Sequence, residues 1–493
     1  MNLAELLRHG RDNFPNATAL CQGQIRLTYG QFHRDVERIA AHLQARGICH
    51  GQIVAVDLQR PVSHWLVTLA LMRLGAVTIS MTSRFEDEIA ALPGLSAIIH
   101  SDDVTRAYPA GAQRIALGRD WLQSGPMSDT ELPATTDAAC TAGRICFSSG
   151  ATGKPKAMAL TAELLIARLA TTAQRTLINA RSVLWCGLGP DTAYGFTATM
   201  AAWAEGGTVV FARGGQGDYR VLGDRQVNLL LASPAAFATL LRDASSTDLP
   251  PLSATAIVAG GRLPISLRNA LQSRLCPEVL VAFGASETGG ITLGPAVGLD
   301  AHVGYVGQAF ADAGVRIVDE AGHDLAPGAV GQLWLRSKSA VAAYLGDAGA
   351  SAGQFNAGWF VSGDLARLSQ DRVLTILGRT ADTFNLGGVK WPAAEIDLAA
   401  RQADRVEDAC AVVLAPDSNP QLAVIVAGEV SDGEGLAALI GAKLPQLPQF
   451  ALVCVAALPR STMGKVNRVA LAQQVGAALA NPDATQFRLI GYF

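Results

Sequence analysis

The ten residues Phe147-Ser148-Ser149-Gly150-Ala151-Thr152-Gly153-Lys154-Pro155-Lys156 hold three hydroxyls, two glycines and two lysines directly after an apolar run. Glycines let backbone N–H groups turn inward, hydroxyls add hydrogen-bond donors and ammonium groups add point charges. Such a set suits the oxygens of a polyphosphate, a triphosphate in particular. The spacing departs from a Walker A loop, which needs four residues between Gly and Gly-Lys and then Ser or Thr where this chain has Pro155. A different nucleotide-binding loop is implied. Lysine usage singles out the same stretch: of 39 basic residues only Lys154, Lys156, Lys338, Lys390, Lys443 and Lys465 are lysine, and two of those six fall in this loop.

Four further clusters carry usable chemistry. Phe283-Gly284-Ala285-Ser286-Glu287-Thr288 follows an apolar strand-like run and puts an aromatic ring, a hydroxyl and a carboxylate at a strand's carboxyl end, where α/β sheets bind ligands. Glu287 suits a hard divalent cation that bridges phosphate oxygens. Trp359-Phe360-Val361-Ser362-Gly363-Asp364-Leu365 places an acidic residue at a turn, and a carboxylate can accept both hydroxyls of a ribose. Gly378-Arg379 opens the last segment, and Pro459 to Arg468 sets Lys465 in a glycine-containing turn after an apolar run. Singly, these also read as a cap, a turn and a solvated hairpin.

The elements that must position these groups alternate between strand and helix. Gln52–Asp57 reads as a strand, Trp65 to Leu74 as a helix and Ala76–Ile79 as a strand; Thr208–Phe211, Ala256–Val258 and Val279–Ala282 repeat the theme, as in α/β proteins. After about Val303, short strands between Gly and Pro turns predict a small β-subdomain, and a final α+β unit of about 115 residues follows Gly378. The fold expected is a large domain over 1–378 with two helix-flanked sheets plus the β-subdomain, and a small α+β domain over 379–493.

Composition sets outer limits. A chain of 493 residues with 49% hydrophobic content can bury a large core. A net charge of −3 argues against general nucleic-acid binding, which needs a basic surface. The N-terminus lacks the apolar core of a signal peptide, and the apolar run His64–Met81 is broken by Arg73 and Gly75, so no transmembrane segment is expected. Eight scattered cysteines without a CxxC pair read as reduced residues of a cytoplasmic protein, and the dispersed histidines show no metal-ligand spacing.

Together, the order and spacing of the clusters resemble the adenylate-forming (AMP-binding) superfamily: acyl-CoA synthetases, aryl-CoA ligases, luciferases and nonribosomal peptide synthetase adenylation domains. The resemblance runs from Leu27-Thr28-Tyr29-Gly30 to the Lys465 turn. It implies ATP-dependent adenylation of a small-molecule carboxylate, release of pyrophosphate and transfer of the acyl group to a thiol, most directly CoA. The alternative is a stand-alone adenylation enzyme that loads the phosphopantetheine of a separate carrier protein. On residues, it makes Ser148, Ser149, Gly150, Thr152, Gly153, Lys154 and Lys156 the phosphate loop, Phe283 the adenine-stacking ring and Gly260 and Gly261 the turn bordering adenine and acyl pocket. Gly284 also lies beside that pocket. Ser286 and Glu287 resemble the pair that holds the α-phosphate and Mg²⁺, Asp364 the ribose ligand, Arg379 the junction arginine and Lys465 the catalytic lysine. The Gly387-Gly388-Val389-Lys390 turn resembles the surface that admits the thiol donor once the small domain, carrying catalytic Lys465, has swung.

Several positions depart from the family pattern. Ala151 and Ala157 replace a hydroxyl and a glycine, Arg262 follows the Gly260-Gly261 pair, and Ala381 stands where relatives carry a hinge residue, with Asp382 next to it. None removes a charge that adenylation needs, although an altered hinge leaves a nucleotide-binding pseudoenzyme as a third reading. Asp191 falls near the acyl pocket; it pairs with an amine on the substrate, caps the following helix or turns outward.

Overall fold

Buried strands and largely apolar helices build the framework of the computed structural model. The structure describes residues 3–82, 85–102, 108–109, 111–118, 121, 142–148, 155–212, 216–302, 304–386, 389–403, 405–414, 421–428, 430, 432–459, 466–480 and 486–493. The helix Pro61–Arg73 shows why the sequence folds this way: proline starts it at a position that needs no N–H donor, and Trp65, Leu66, Val67, Leu69, Ala70 and Leu71 are all buried. A helix apolar on every side has to lie inside. It leads into the fully buried strand Val77–Ser80.

The chain divides into two compact units. The first comprises Met1–Ala296, Ala309–Gly314 and Leu335–Val361. One of its sheets runs in the order Gln113–Leu117, Leu95–Ser101, Ile53–Asp57, Val77–Ser80, Ala142–Ser148, Lys156–Thr161. Its strands are parallel up to the last pair, which is an antiparallel hairpin. A second sheet runs Ile25–Thr28, Thr18–Gln22, Thr208–Phe211, Val183–Cys186, Leu229–Ala232, Thr255–Val258, Glu278–Ala285, Gly289–Pro295. Here the parallel strands are flanked at each side by an antiparallel partner. Hydroxyl caps set the helices that follow: Thr161, Thr192 and Ser233 each accept a backbone N–H in the first turn.

The second unit comprises Val297–Gln308, Val315–Trp334 and Ser362–Phe493. Its four-stranded sheet runs Val406–Leu414, Gln421–Gly428, Phe450–Val455, Arg488–Tyr492. Strand periodicity of two sorts the side chains onto two faces. Ala409, Ala411, Val424, Val426 and Leu452 pack with Ile396 and Ile440 on one side, and Cys410, Val412, Ile425 and Val453 pack with Leu471 and Val475 on the other. At the start of the helix Arg468–Ala480, Arg468 donates Nη2 to Asp397 Oδ2 at 2.7 Å, Nε to Asp382 Oδ2 at 3.3 Å and Nη1 to the Ala411 carbonyl at 2.6 Å.

Three sequence expectations need correcting. Phe283, Gly284 and Ala285 lie inside the strand Glu278–Ala285 rather than beyond it, because the antiparallel partner Gly289–Pro295 carries the pairing on to Ala285. Asp364 sits within the strand Trp359–Leu368 rather than at a turn; Gly363, at φ +72°, bends the backbone locally and the ladder continues. Gly378 and Arg379 end the strand Val373–Arg379 instead of opening the next segment. Among the described residues no helix is long and apolar enough to cross a membrane.

Candidate active site

In the first unit the site is built where parallel strands end. Thr255–Val258 and Glu278–Ala285 run side by side, with Val258 opposite Val281, so Gly260 and Gly261 leave the first strand next to the place where Phe283 and Gly284 close the second. Phe283 is half-buried, while Gly260, Gly261 and Gly284 are exposed. Gly284 has a steric reason to be glycine: a Cβ there would lie 2.2 Å from the Gly289 carbonyl oxygen. Ser286, half-buried, and Glu287, 6% exposed, follow in the turn beyond the strand.

The hairpin that Ser148 and Lys156 flank approaches the same carboxylate. Ser148 ends one strand and Lys156 begins the next, directly opposite each other in register. Ser149, Gly150, Thr152, Gly153 and Lys154, between them, lie outside the described residues. Lys156 Nζ donates to Gln354 Oε1 at 2.9 Å and stands 4.9 Å from the centre of the Tyr344 ring. Tyr344 OH lies 2.8 Å from Glu287 Oε1 and 2.6 Å from Gln354 Oε1. Burial, reinforced by the Glu287 charge, holds the Tyr344 phenol well above its ordinary pKa, so it remains a donor. Ser148 Oγ is buried, faces that phenol and makes no hydrogen bond of ordinary geometry among the described residues.

Two buried arginines lie nearby, one bracing the Glu287 turn and the other the loop that bears Asp191. Arg168 donates Nη2 to the Glu287 carbonyl at 3.1 Å and Nε to the Ser339 carbonyl at 3.0 Å, fixing the turn that carries Glu287. Burial lowers its pKa to about 10, partly offset by Cys146 and Glu287, so it stays cationic at neutral pH. Arg144, 1% exposed, stacks 4.0 Å from the Phe196 ring centre, donates to Ser80 Oγ at 2.8 Å and also donates to the Pro190 carbonyl. Burial lowers its pKa, and Cys146 and Asp191 oppose that shift.

The Pro190 contact fixes the loop that bears Asp191. Asp191 is half-buried and does not cap the next helix: Thr192 does, accepting from Gly195 N at 3.0 Å. A hydroxyl with extended backbone geometry at that position outcompetes its neighbour. Behind the loop, His64 Nε2 lies 2.8 Å from Ser80 Oγ and Nδ1 lies 3.3 Å from the Leu58 carbonyl. A carbonyl can only accept, so Nδ1 carries the proton and Nε2 accepts from the serine. Burial, then the Arg144 charge, push the His64 pKa down to about 3.

In the second unit Asp364 and Arg379 are cross-strand partners, with Arg379 Nε 3.1 Å from Asp364 Oδ1 and Nη1 donating to the Ser362 carbonyl at 3.0 Å. Asp364 is 7% exposed and its backbone N–H is held by Ser362 Oγ at 3.1 Å, so the carboxylate is aimed by both neighbours. Ala381 and Asp382 form a short 3-10 turn just after Arg379, and Asp382 is tied to Arg468. Gly387, Gly388 and Lys465 lie outside the described residues, as does the Lys390 side chain.

Sequence reasoning missed Tyr344, Gln354, Arg168, Arg144 and His64. Two of them left a signal. Arg168 falls on the buried stripe Leu165, Leu169, Ala173 of its helix, and Arg144 interrupts the apolar strand ending in Ile145-Cys146-Phe147. A cation in an apolar stripe marks a buried polar node.

The donor set fits a magnesium ion. Glu287 offers a hard carboxylate near the hairpin strand that starts at Lys156, and among the described residues no group of three or more His, Cys, Asp or Glu forms a protein cage. Magnesium takes one or two carboxylates and completes its shell with water and substrate phosphate.

Strand ends, with Lys156 and Glu287 beside them, mark the candidate site of an α/β protein. A family model described as AMP-binding enzyme matches residues 7–345, and the chain belongs to that family. Feruloyl-CoA synthase of an Amycolatopsis species is 25% identical, over 94% of this chain and 96% of that protein. The 2-hydroxy-7-methoxy-5-methyl-1-naphthoate–CoA ligase of Streptomyces carzinostaticus is 26% identical, over 96% and 92% respectively. The fold matches the structure of O-succinylbenzoate coenzyme A synthetase from Bacillus subtilis in complex with AMP, at a TM-score of 0.81 and 19% identity, covering 94% of this chain and 97% of that one.

Proposed function

We infer that the chain is an ATP-dependent acid–thiol ligase that converts a carboxylic acid to its acyl-adenylate, releases pyrophosphate and passes the acyl group to CoA. The observation that carries this reading is the Lys156 and Glu287 pair, placed at the strand ends of a member of the AMP-binding enzyme family. Two anions, the carboxylate and the α-phosphate, must meet while negative charge builds on phosphoryl oxygens. Fixed cations and N–H donors aimed at that charge supply the catalysis.

In this reading Ser148 to Lys156 cradles the phosphates and Ser286 orients the α-phosphate. Glu287 holds the magnesium ion, which when bound offsets phosphate charge. Phe283 stacks on adenine, Gly260 and Gly261 leave room for it, and Asp364 accepts the ribose hydroxyls with Arg379 steadying it. Lys465 binds both the carboxylate and the α-phosphate. After adenylation, a segment beginning near residue 379 turns so that the Gly387-Gly388 face, with Lys390 beside it, admits the pantetheine arm of the thiol. Asp191 contributes to the acyl pocket, and the protein works in the cytoplasm.

Pyrophosphate release from ATP, measured over a panel of aryl, fatty and amino acids with and without CoA, tests the reading. The names of the two CoA-ligase relatives put aryl acids first in that panel. Release with formation of the acyl-CoA supports the assignment. Release indifferent to CoA moves the acceptor to a carrier protein, and silence with every acid refutes the ligase reading in favour of a nucleotide-binding pseudoenzyme.

A further inference from the structure

Among the described residues no ion pair joins Lys156 to Glu287, although the two share one small buried region. What connects them is neutral: Lys156 Nζ to Gln354 Oε1 at 2.9 Å, Gln354 Oε1 to Tyr344 OH at 2.6 Å, and Tyr344 OH to Glu287 Oε1 at 2.8 Å. A phenol has one proton, so Tyr344 can donate to Glu287 or to Gln354 but not to both. Away from water an ammonium and a carboxylate attract strongly. Left to themselves the two would close into a direct pair, and each would be neutralised for any incoming ligand.

We propose that Tyr344 and Gln354 are positioning residues that keep Lys156 and Glu287 apart as a separated charge pair, one for the nucleotide phosphates and the other for their magnesium ion. The phenol O–H donates to Glu287 when the carboxylate is free and turns to donate to Gln354 Oε1 when a cation takes it. This rests on the phosphate-site reading above and goes beyond it, since neither residue belongs to the motifs from which that reading came.

The surroundings are built to hold the bridge. The Tyr344 ring meets Phe355 edge-on at 5.2 Å, and Phe355 in turn meets Phe360 at 5.4 Å. The Tyr344 backbone N–H donates to Ser351 Oγ at 3.0 Å, and Leu345 N to the Ala157 carbonyl at 2.8 Å, which ties the segment to the hairpin strand that starts at Lys156. Gln354 ends the helix Ala348–Gln354, whose first turn is capped by Asp347. A phenol carries one O–H donor, so Tyr344 can serve either neighbour.

The test titrates a fluorescent ATP analogue into full-length wild type, Gln354→Met, Gln354→Glu and Tyr344→Phe, with and without magnesium and with no carboxylate present, so that binding is read without turnover. Gln354→Met should weaken nucleotide binding by about tenfold or more, Gln354→Glu by more still, and Tyr344→Phe should raise the magnesium concentration for half-maximal binding by about tenfold, as expected for lost hydrogen bonds to charged groups. The KM for the carboxylate should stay within about twofold, a split that general loosening of the fold would not produce. Folded variants that bind nucleotide and respond to magnesium like wild type overturn the proposal, and so does an equal rise in both KM values. Should Tyr344→Phe not fold, the half-buried Gln354 variants decide alone. Wild-type pyrophosphate release reports on the ligase reading, and the ratios of variant to wild type report on the bridge.

Discussion

Replacing His64 should erase a defined part of the protein's acid sensitivity. In the folded chain the imidazole takes up a proton only near pH 3, against 6.5 for an ordinary histidine. Between these limits the unfolded state binds more protons than the folded state, so stability falls as pH falls. The contribution is fully present above about 6.5 and is lost progressively towards about 3. From about pH 7 to about pH 5 the loss is ~2 kcal/mol, at roughly 1.4 kcal/mol per unit. His64→Gln keeps an acceptor for Ser80 and a donor for the Leu58 carbonyl but cannot titrate. Urea unfolding followed by tryptophan fluorescence reports on this region, because the neighbouring Trp65 is buried against Phe196 at 5.1 Å. Wild type should lose ~2 kcal/mol more than the variant over that interval, every other titrating group cancelling in the difference. Parallel pH dependence of the two proteins would show that His64 is not held neutral by burial and Arg144.

Lys465→Ala should slow adenylation at least ~10²–10³-fold, roughly 3–4 kcal/mol in the barrier, as lost oxyanion donors do; near wild-type pyrophosphate release would refute the catalytic assignment. Gly284→Ala puts a Cβ 2.2 Å from a backbone oxygen, and should cost about 1–3 kcal/mol of stability in thermal or urea unfolding. Arg144→Met frees the Pro190 carbonyl and should raise the KM for the carboxylate by about tenfold with the KM for ATP little changed; equal shifts in both would dissociate this arginine from the acyl pocket. Asp364→Asn should weaken ATP more than a 2′,3′-dideoxy analogue, since only the former offers ribose hydroxyls, and equal losses would count against the ribose role.

The strands and helices were legible because burial leaves a periodic trace. Thr208–Phe211 is the strand expected, and the helix Pro61–Arg73 and the strand Val77–Ser80 fall within a few residues of their expected ends. Boundaries failed where pairing, not composition, sets them: Phe283, Gly284 and Ala285 remain in their strand because Thr292, Gly290 and Gly289 lie opposite. Of the candidate site, the charged and glycine-rich motifs stood out by spacing, and Glu287 and Lys156 do share a neighbourhood. Tyr344 and Gln354 gave no sign, since their role arises from meeting residues far away in the chain: 57 positions separate Tyr344 from Glu287 and 198 separate Gln354 from Lys156. A glutamine at a helix end or a tyrosine in an apolar run looks ordinary until its partner is known.

The knot around Arg468 bears on how this sequence can change over generations. One guanidinium answers two carboxylates, Asp382 and Asp397, and Asp397 is 3% exposed. Losing Arg468 leaves the buried Asp397 with Arg401 Nη2 at 3.7 Å and the Ala411 N–H at 2.6 Å, and losing Asp397 leaves Arg468 with Asp382; breaking such a buried pair is destabilising, whereas exchanging the whole set for apolar residues of matching volume can be neutral. The viable routes out are therefore concerted ones, and single nucleotide changes at these codons meet a barrier that a combined change does not. Asp382 adjoins Ala381 and Arg468 lies three positions after Lys465, so the same constraint reaches both stretches of chain.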